Sequence, residues 1–113
     1  MNLIVDASVA LKWFLVGEPK AQQALAIIEG ENTLVAPDLL IAEVWNAAWR
    51  STRLGRLSLA QVAEIAVSLP HFFDTLVSST DLAPRAVAIA SQLDHPVYDC
   101  LYLALPKPSR RAS

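Results

Sequence analysis

Cysteine and glycine are scarce in this chain of 113 residues. Cys100 is the only cysteine, so an internal disulfide and a zinc site built from cysteines are both excluded, and we expect Cys100 to be a small buried hydrophobic residue. Only three glycines are present, which excludes a glycine-rich loop that cradles phosphate groups. Function must therefore be sought in other side chains.

Long uninterrupted apolar runs are also missing. The longest apolar stretch, residues 34–49, is broken by Pro37, Asp38 and Glu43 and falls short of the roughly 20 residues that a membrane-spanning helix needs. The amino terminus has no basic lead-in and reaches Asp6 too soon for a signal peptide. We expect no membrane segment and a cytoplasmic protein.

The composition predicts one compact domain that cannot bury all of its apolar surface by itself. Apolar residues make up 54% of the chain and the mean hydropathy is +0.38. A domain of this size buries only about 60–70% of the surface of its unfolded chain. We therefore expect an apolar interface, most simply that of a homodimer.

Charge is distributed unevenly along the chain. The net charge is −2, but residues 107–113 carry three bases and no acid, which leaves −5 on the residues before them. An acidic body argues against simple electrostatic binding of nucleic acid, although a cation can bridge acidic side chains and phosphate in a nuclease. Residues 106–113 also contain two prolines, so we predict a single domain over residues 1–105 followed by a disordered basic tail.

The periodicity predicts an α/β fold with a small parallel sheet. Residues 3–5 and 33–36 have the branched apolar pattern of buried strands, while residues 71–77 form either a short strand or an extended connection. Helices are predicted with Ser8 as the first cap, Pro19 at the start of the second, a Ser58–Gln61 capping box, and Asp81 and Pro96 at the last two starts. Ligands bind at the carboxyl ends of strands in such sheets, where Asp6 lies.

Three acids lie in apolar segments. Asp6 ends the first strand, Glu43 lies within an apolar helix, and Asp99 lies in the first turn of another helix. Each acid also has a purely structural explanation. Asp6 could cap a helix, Glu43 could be exposed or ion-paired, and Asp99 could be an anion favoured by the helix dipole. An unpartnered carboxylate in apolar surroundings is costly, however, so together they predict ligands of one hard cation, Mg²⁺ or Mn²⁺.

Other polar and aromatic residues leave alternatives open. Arg50, Arg53 and Arg56 are spaced to contact phosphates along one edge, or they complement the dipole at a helix end. His71 and His95 have no partner at metal-ligand spacing and are expected in loops. The tryptophans are expected in the core or in a dimer contact: Trp13, Trp45 and Trp49.

Three segments together carry a family resemblance. Residues 3–8 (LIVDAS), 37–46 (PDLLIAEVWN) and 97–104 (VYDCLYLA) resemble the PIN-domain ribonucleases, especially the VapC toxins of bacterial toxin–antitoxin pairs. The order and spacing of the three motifs make the match more specific than any one of them. The resemblance spans residues 1–105.

The resemblance implies a three-layer α/β/α domain that hydrolyses RNA. Asp6, Glu43 and Asp99 would bind one or two Mg²⁺ ions, and Ser8 would support the site by hydrogen bonding. The cation would hold the scissile phosphate and lower the pKa of a bound water that attacks the phosphorus. The resemblance further implies a homodimer and a small VapB-like antitoxin that blocks the acidic pocket.

The carboxyl terminus departs from the family pattern. Family members continue with a segment that carries a threonine and a fourth acid, whereas no residue after Asp99 is acidic here. This departure predicts a missing last strand, an open sheet edge and a weakened second metal position. Two hypotheses remain: an active toxin, or an impaired remnant that only binds an antitoxin or itself. A phosphatase with Asp6 as nucleophile is a weaker alternative, because Ser8 occupies the position where such enzymes have a second acid.

Overall fold

The computed structural model describes residues 2–15, 17 and 20–106, and the backbone of residues 110–112. Strands and helices alternate in the first half, and helices predominate in the second. The elements, in chain order, are β1 (Asn2–Val5), α1 (Ala7–Lys12), α2 (Ala21–Glu29), β2 (Thr33–Pro37), α3 (Leu39–Arg53), α4 (Leu59–Ser68), a 3₁₀ turn (Leu69–Phe72), β3 (Thr75–Val77), α5 (Ser79–Leu93), α6 (Val97–Leu103) and β4 (Arg110–Ala112).

The strands form one parallel sheet with the order β3-β2-β1-β4. Leu3 pairs with Leu34, and Val35 pairs with Thr75. The predicted small parallel sheet is thus confirmed. The segment 71–77, which the sequence leaves open, divides into the end of the 3₁₀ turn and β3.

The sheet separates two hydrophobic cores, because successive strand residues point to opposite faces. Leu3 and Val5 pack with α1, α2, α3 and α4, whereas Ile4 packs with α5 and α6. Cys100 is fully buried in the second core, as predicted for a small hydrophobic residue. This arrangement is a helical layer on each face of the sheet.

Two helices begin at a different residue from the one predicted. Asp6, not Ser8, is the amino-terminal cap of α1, and its side chain accepts a hydrogen bond from the Val9 amide. Ser78, not Asp81, caps α5. Both caps come directly after a strand, since a cap is the last residue whose backbone is still extended.

Other helix starts agree with the sequence. Ser58 and Gln61 form the predicted capping box of α4, with Ser58 Oγ accepting from the Gln61 amide at 3.1 Å and Gln61 Oε1 accepting from the Ser58 amide at 2.7 Å. Pro96 immediately precedes α6. Pro19, predicted to open α2, lies outside the described residues.

None of the helices in the described ranges is long and apolar enough to cross a membrane.

Residues 110–112, which lie within the predicted disordered tail, form the short strand β4. The backbone of residues 110–112 pairs with β1, and Ala112 lies opposite Val5. An extended segment can bind a strand edge through its backbone N–H and C=O groups alone, so this pairing requires no apolar side-chain pattern. The edge of β1 that the sequence predicts to be open therefore has a short neighbouring strand. The tail residues 107–109 and 113 lie outside the described residues.

The burial of two leucines predicts that their replacement by alanine will change the free energy of unfolding by very different amounts. Leu40 in α3 is completely buried, whereas Leu59 in α4 is 70% exposed. Leu40→Ala should lower the free energy of unfolding by about 2–5 kcal/mol, because it removes buried methyl groups and leaves a cavity. Leu59→Ala should change it by less than about 0.5 kcal/mol. Urea denaturation followed by circular dichroism measures both, and equal effects would contradict the described packing.

Candidate active site

The carboxyl ends of β1, β2 and β3 place polar residues at one edge of the sheet. Asp6 follows β1, Asp38 follows β2, and Ser78 follows β3. Parallel strands end at the same edge, which is where α/β proteins bind ligands. The same edge receives the amino-terminal ends of α1, α3 and α5.

Asp6 is held firmly at this edge. The residue is half-buried, and its Oδ1 accepts hydrogen bonds from Ser8 Oγ at 2.8 Å and from the Val9 amide at 3.1 Å. The contact with Ser8 is the one that the family resemblance implies. Oδ2 of Asp6 accepts no hydrogen bond from any described residue, so this oxygen is available to a ligand.

Glu43 lies on the solvent-exposed side of α3. Its neighbours Val44 and Leu40 are fully buried, but Glu43 itself is exposed. The expectation that Glu43 is surrounded by apolar groups is therefore wrong, because α3 is amphipathic and only its other side faces the core. Glu43 Oε1 accepts a hydrogen bond from the Tyr102 hydroxyl at 2.6 Å, which joins α3 to α6.

Asp99 lies in the first turn of α6, as predicted, and it too is exposed. Its Oδ2 lies 2.9 Å from His95 Nε2, with side-chain exposures of 68% for Asp99 and 52% for His95. His95 lies in the connection between α5 and α6, so its loop position is as expected. Its partner was not predicted, because Pro96 interrupts the helical spacing that relates the two residues.

The three acids do not form a closed set of ligands in this structure. Among the described residues, no group of three histidine, cysteine, aspartate or glutamate side chains is placed to hold a metal ion. Each acid instead accepts a hydrogen bond from a neighbouring protein group. The donor chemistry does fit a hard cation, since all three offer carboxylate oxygens.

Asp38 and Ser79 form a polar contact that the sequence motifs do not predict. The Ser79 amide donates to Asp38 Oδ1 at 3.0 Å, the Ser79 hydroxyl donates to the same oxygen, and the Asp38 amide donates to the Val77 carbonyl at 2.8 Å. These bonds join the starts of α3 and α5 across the end of β3. The sequence does contain a weak signal for this contact. Asp38 and Ser79 lie within two residues of the ends of β2 and β3, and both are residue types that are common at helix starts.

Arg53, at the carboxyl-terminal end of α3, lies away from Glu43 on the same helix. Arg53 follows Glu43 by ten residues, which corresponds to about 15 Å along a helix. The Arg53 guanidinium carbon lies 5.7 Å from the centroid of the Trp49 ring.

The three tryptophans differ in burial. Trp13 is buried as expected, whereas Trp45 and Trp49 are 42% and 48% exposed and so are not core residues.

Comparison with known proteins identifies the family. The PIN domain family model matches residues 3–107 of this chain. Because the match covers nearly the whole sequence, the chain belongs to the PIN domain family, and the predicted resemblance is confirmed. Ribonuclease VapC3 of Pyrobaculum aerophilum is 33% identical to this chain over 107 residues, which are 93% of this chain and 81% of that protein.

The cap at Asp6 predicts different stabilities for two substitutions. Asp6→Ala should lower the free energy of unfolding by about 1 kcal/mol, because the amide of Val9 loses its acceptor. Asp6→Asn should change it little, since asparagine is an equally good cap. Urea denaturation in the presence of a chelator compares the two, and an Asp6→Asn variant as unstable as Asp6→Ala would contradict the capping role.

Proposed function

We propose that this chain is a metal-dependent endoribonuclease of the VapC type, the toxin component of a toxin–antitoxin pair that acts in the cytoplasm. The observation that carries the proposal is the PIN domain match over residues 3–107, which contains every acid of the candidate site. The similarity to ribonuclease VapC3 supports RNA as the substrate. The proposed reaction is hydrolysis of an RNA phosphodiester bond.

Asp6, Glu43 and Asp99 would hold the cation, with Mg²⁺ as the first candidate and Mn²⁺ as the second. A bound divalent cation would polarise the scissile phosphate and activate water for attack. The carboxylate of Asp6 is fixed by Ser8 and the Val9 amide, so it would serve as the ordered ligand. Asp99 is exposed, so its side chain can reorient towards a cation with little loss of packing. Glu43 is also exposed, but its Oε1 accepts a hydrogen bond from the Tyr102 hydroxyl.

Electrostatics supports a role for the cation in RNA binding. Residues 1–106 carry a net charge of −5, which would repel a phosphate backbone. A divalent cation between the acids and a phosphate offsets this repulsion and also relieves repulsion among the acids. Metal and RNA binding should therefore depend on each other.

Cleavage assays with matched aspartate variants test the proposed enzyme. The full chain should cut single-stranded RNA with Mg²⁺ and lose that activity with a chelator. Asp6→Asn should lower the rate at least about 100-fold, because the neutral amide is a poor ligand for a hard cation. Asp94→Asn, which alters an exposed aspartate with a left-handed backbone that asparagine also adopts, should retain the parental rate.

Two results would contradict the enzyme proposal. One is RNA cleavage that persists unchanged with chelator or in Asp6→Asn, which would point to a contaminating nuclease. The other is an inert parental chain that is folded and supplied with Mg²⁺ or Mn²⁺. The second result would favour an impaired PIN remnant that binds only an antitoxin or itself, a candidate supported by the absence of a three-acid group among the described residues.

The proposed protein partners are a second copy of the chain and a small VapB-like antitoxin. Trp45 and Trp49 lie one turn apart on α3 and are both nearly half exposed, which leaves aromatic surface that self-association can bury. Leu103 on α6 is similarly exposed, at 43%. We place the homodimer contact on the Trp45–Trp49 side of α3.

Sedimentation tests this contact. The parental chain should sediment as a dimer, and the double change Trp45→Glu with Trp49→Glu should give a folded monomer because it places charges in an apolar contact. Val67→Glu, at a residue of α4 that is 74% exposed, should leave the dimer intact. A monomeric parental chain, or a double variant that remains dimeric, would contradict the assignment.

A further inference from the structure

Tyr102 makes a contact with the candidate site that the proposed reaction does not use. Its hydroxyl donates a hydrogen bond to Glu43 Oε1 at 2.6 Å, although the two residues are 59 positions apart in the sequence. The bond therefore joins α6 to α3. A phenol bound to a carboxylate at this distance is a charge-assisted hydrogen bond, which is stronger than one between neutral groups.

The two partners differ in how firmly they are held. The ring of Tyr102 is half-buried and packs against both hydrophobic cores. Glu43 is exposed, and its side chain has one more rotatable carbon–carbon bond than that of tyrosine. The hydrogen bond thus fixes the position of Glu43 by means of Tyr102, and not the reverse.

Tyr102 also lies close in sequence to another proposed ligand. Asp99 precedes it by three residues in α6, so the two residues lie on neighbouring positions of the same side of the helix. One turn of α6 therefore carries one acid of the candidate site and the group that binds a second acid. The bond to Tyr102 uses Oε1 of Glu43, and the carboxylate has a second oxygen for a cation.

We propose that Tyr102 is a positioning residue that holds the Glu43 carboxylate ready for a divalent cation. This proposal rests on the proposed function, because it assigns Glu43 as a ligand. A side chain that is already ordered loses less conformational entropy when it binds, so the hydroxyl should raise the affinity for the cation. Tyr102 itself would touch neither the cation nor the RNA.

Two tyrosine variants of the full chain test the proposal without RNA. Tyr102→Phe removes the hydroxyl and keeps the ring, and Tyr98→Phe does the same to a tyrosine of α6 that is 70% exposed. Electron paramagnetic resonance of free Mn²⁺ measures the affinity of each chain for the ion alone. Tyr102→Phe should weaken Mn²⁺ binding about tenfold, the low end of losses seen when the partner of a metal ligand is removed. Tyr98→Phe should bind like the parental chain.

A double-mutant cycle separates positioning from packing. In a Glu43→Ala background, adding Tyr102→Phe should cause no further loss of Mn²⁺ affinity, because the hydroxyl has no carboxylate to hold. The same loss with and without Glu43 would overturn the proposal, since it would show that the hydroxyl acts through the fold. Unaltered affinity in Tyr102→Phe itself would also overturn it.

Nuclear magnetic resonance gives a readout on the unmutated ring. In a chain with ¹³C-labelled tyrosines, Mg²⁺ should shift the ring Cζ signal of Tyr102 and leave that of Tyr98 in place, with Tyr98→Phe providing the assignment. A Tyr102 signal that does not respond to saturating Mg²⁺ would overturn the proposal.

The two levels of failure can be told apart. If the parental chain binds Mn²⁺ no better than Asp6→Asn, the metal site of the proposed function fails and the role of Tyr102 fails with it. If Asp6→Asn loses affinity but Tyr102→Phe does not, only the role of Tyr102 is overturned.

Discussion

Parallel pairing of β1, β2 and β3 is the constraint on which the candidate site depends. Since the three strands end at one edge, the helices that follow them all begin there. A helix start needs polar side chains for its free amides, and Asp6 and Ser78 supply them. Folding by itself therefore collects acids and hydroxyls at this edge. The proposed metal site would use a carboxylate, that of Asp6, which already caps a helix.

Hydrogen bonds from protein groups stabilise the three acids of the candidate site when no cation is bound. Asp6, Glu43 and Asp99 each interact with a protein donor, respectively Ser8 and the Val9 amide, Tyr102, and His95. Carboxylates that converge without a cation repel one another, and separate donors lower that cost. The structure thus combines two acids that hydrogen bonds hold in place, Asp6 and Glu43, with an exposed acid, Asp99, that can turn towards a cation.

The sequence predicted the parallel sheet, the family, Asp6 at the end of the first strand and Asp99 in the first turn of a helix, because these follow from local patterns and motif order. The exposure of Glu43 could not be predicted from its apolar neighbours, since which side of α3 faces the core depends on packing. The bond between Tyr102 and Glu43 joins residues 59 positions apart, and only the tertiary fold determines it. The pairing of residues 110–112 with β1 could not be predicted from the sequence, because it depends on backbone hydrogen bonds and not on a side-chain pattern.

Asp6, Glu43 and Asp99 are proposed to share one cation. Anomalous X-ray diffraction from crystals of the full chain grown with Mn²⁺ tests this proposal most directly, because Mn²⁺ is located by its own scattering. We expect a peak with carboxylate oxygens of all three residues within about 2.0–2.6 Å, the range for oxygen ligands of hard divalent cations. A well-ordered crystal with Mn²⁺ bound elsewhere, or with none bound at saturating concentration, would contradict the proposal.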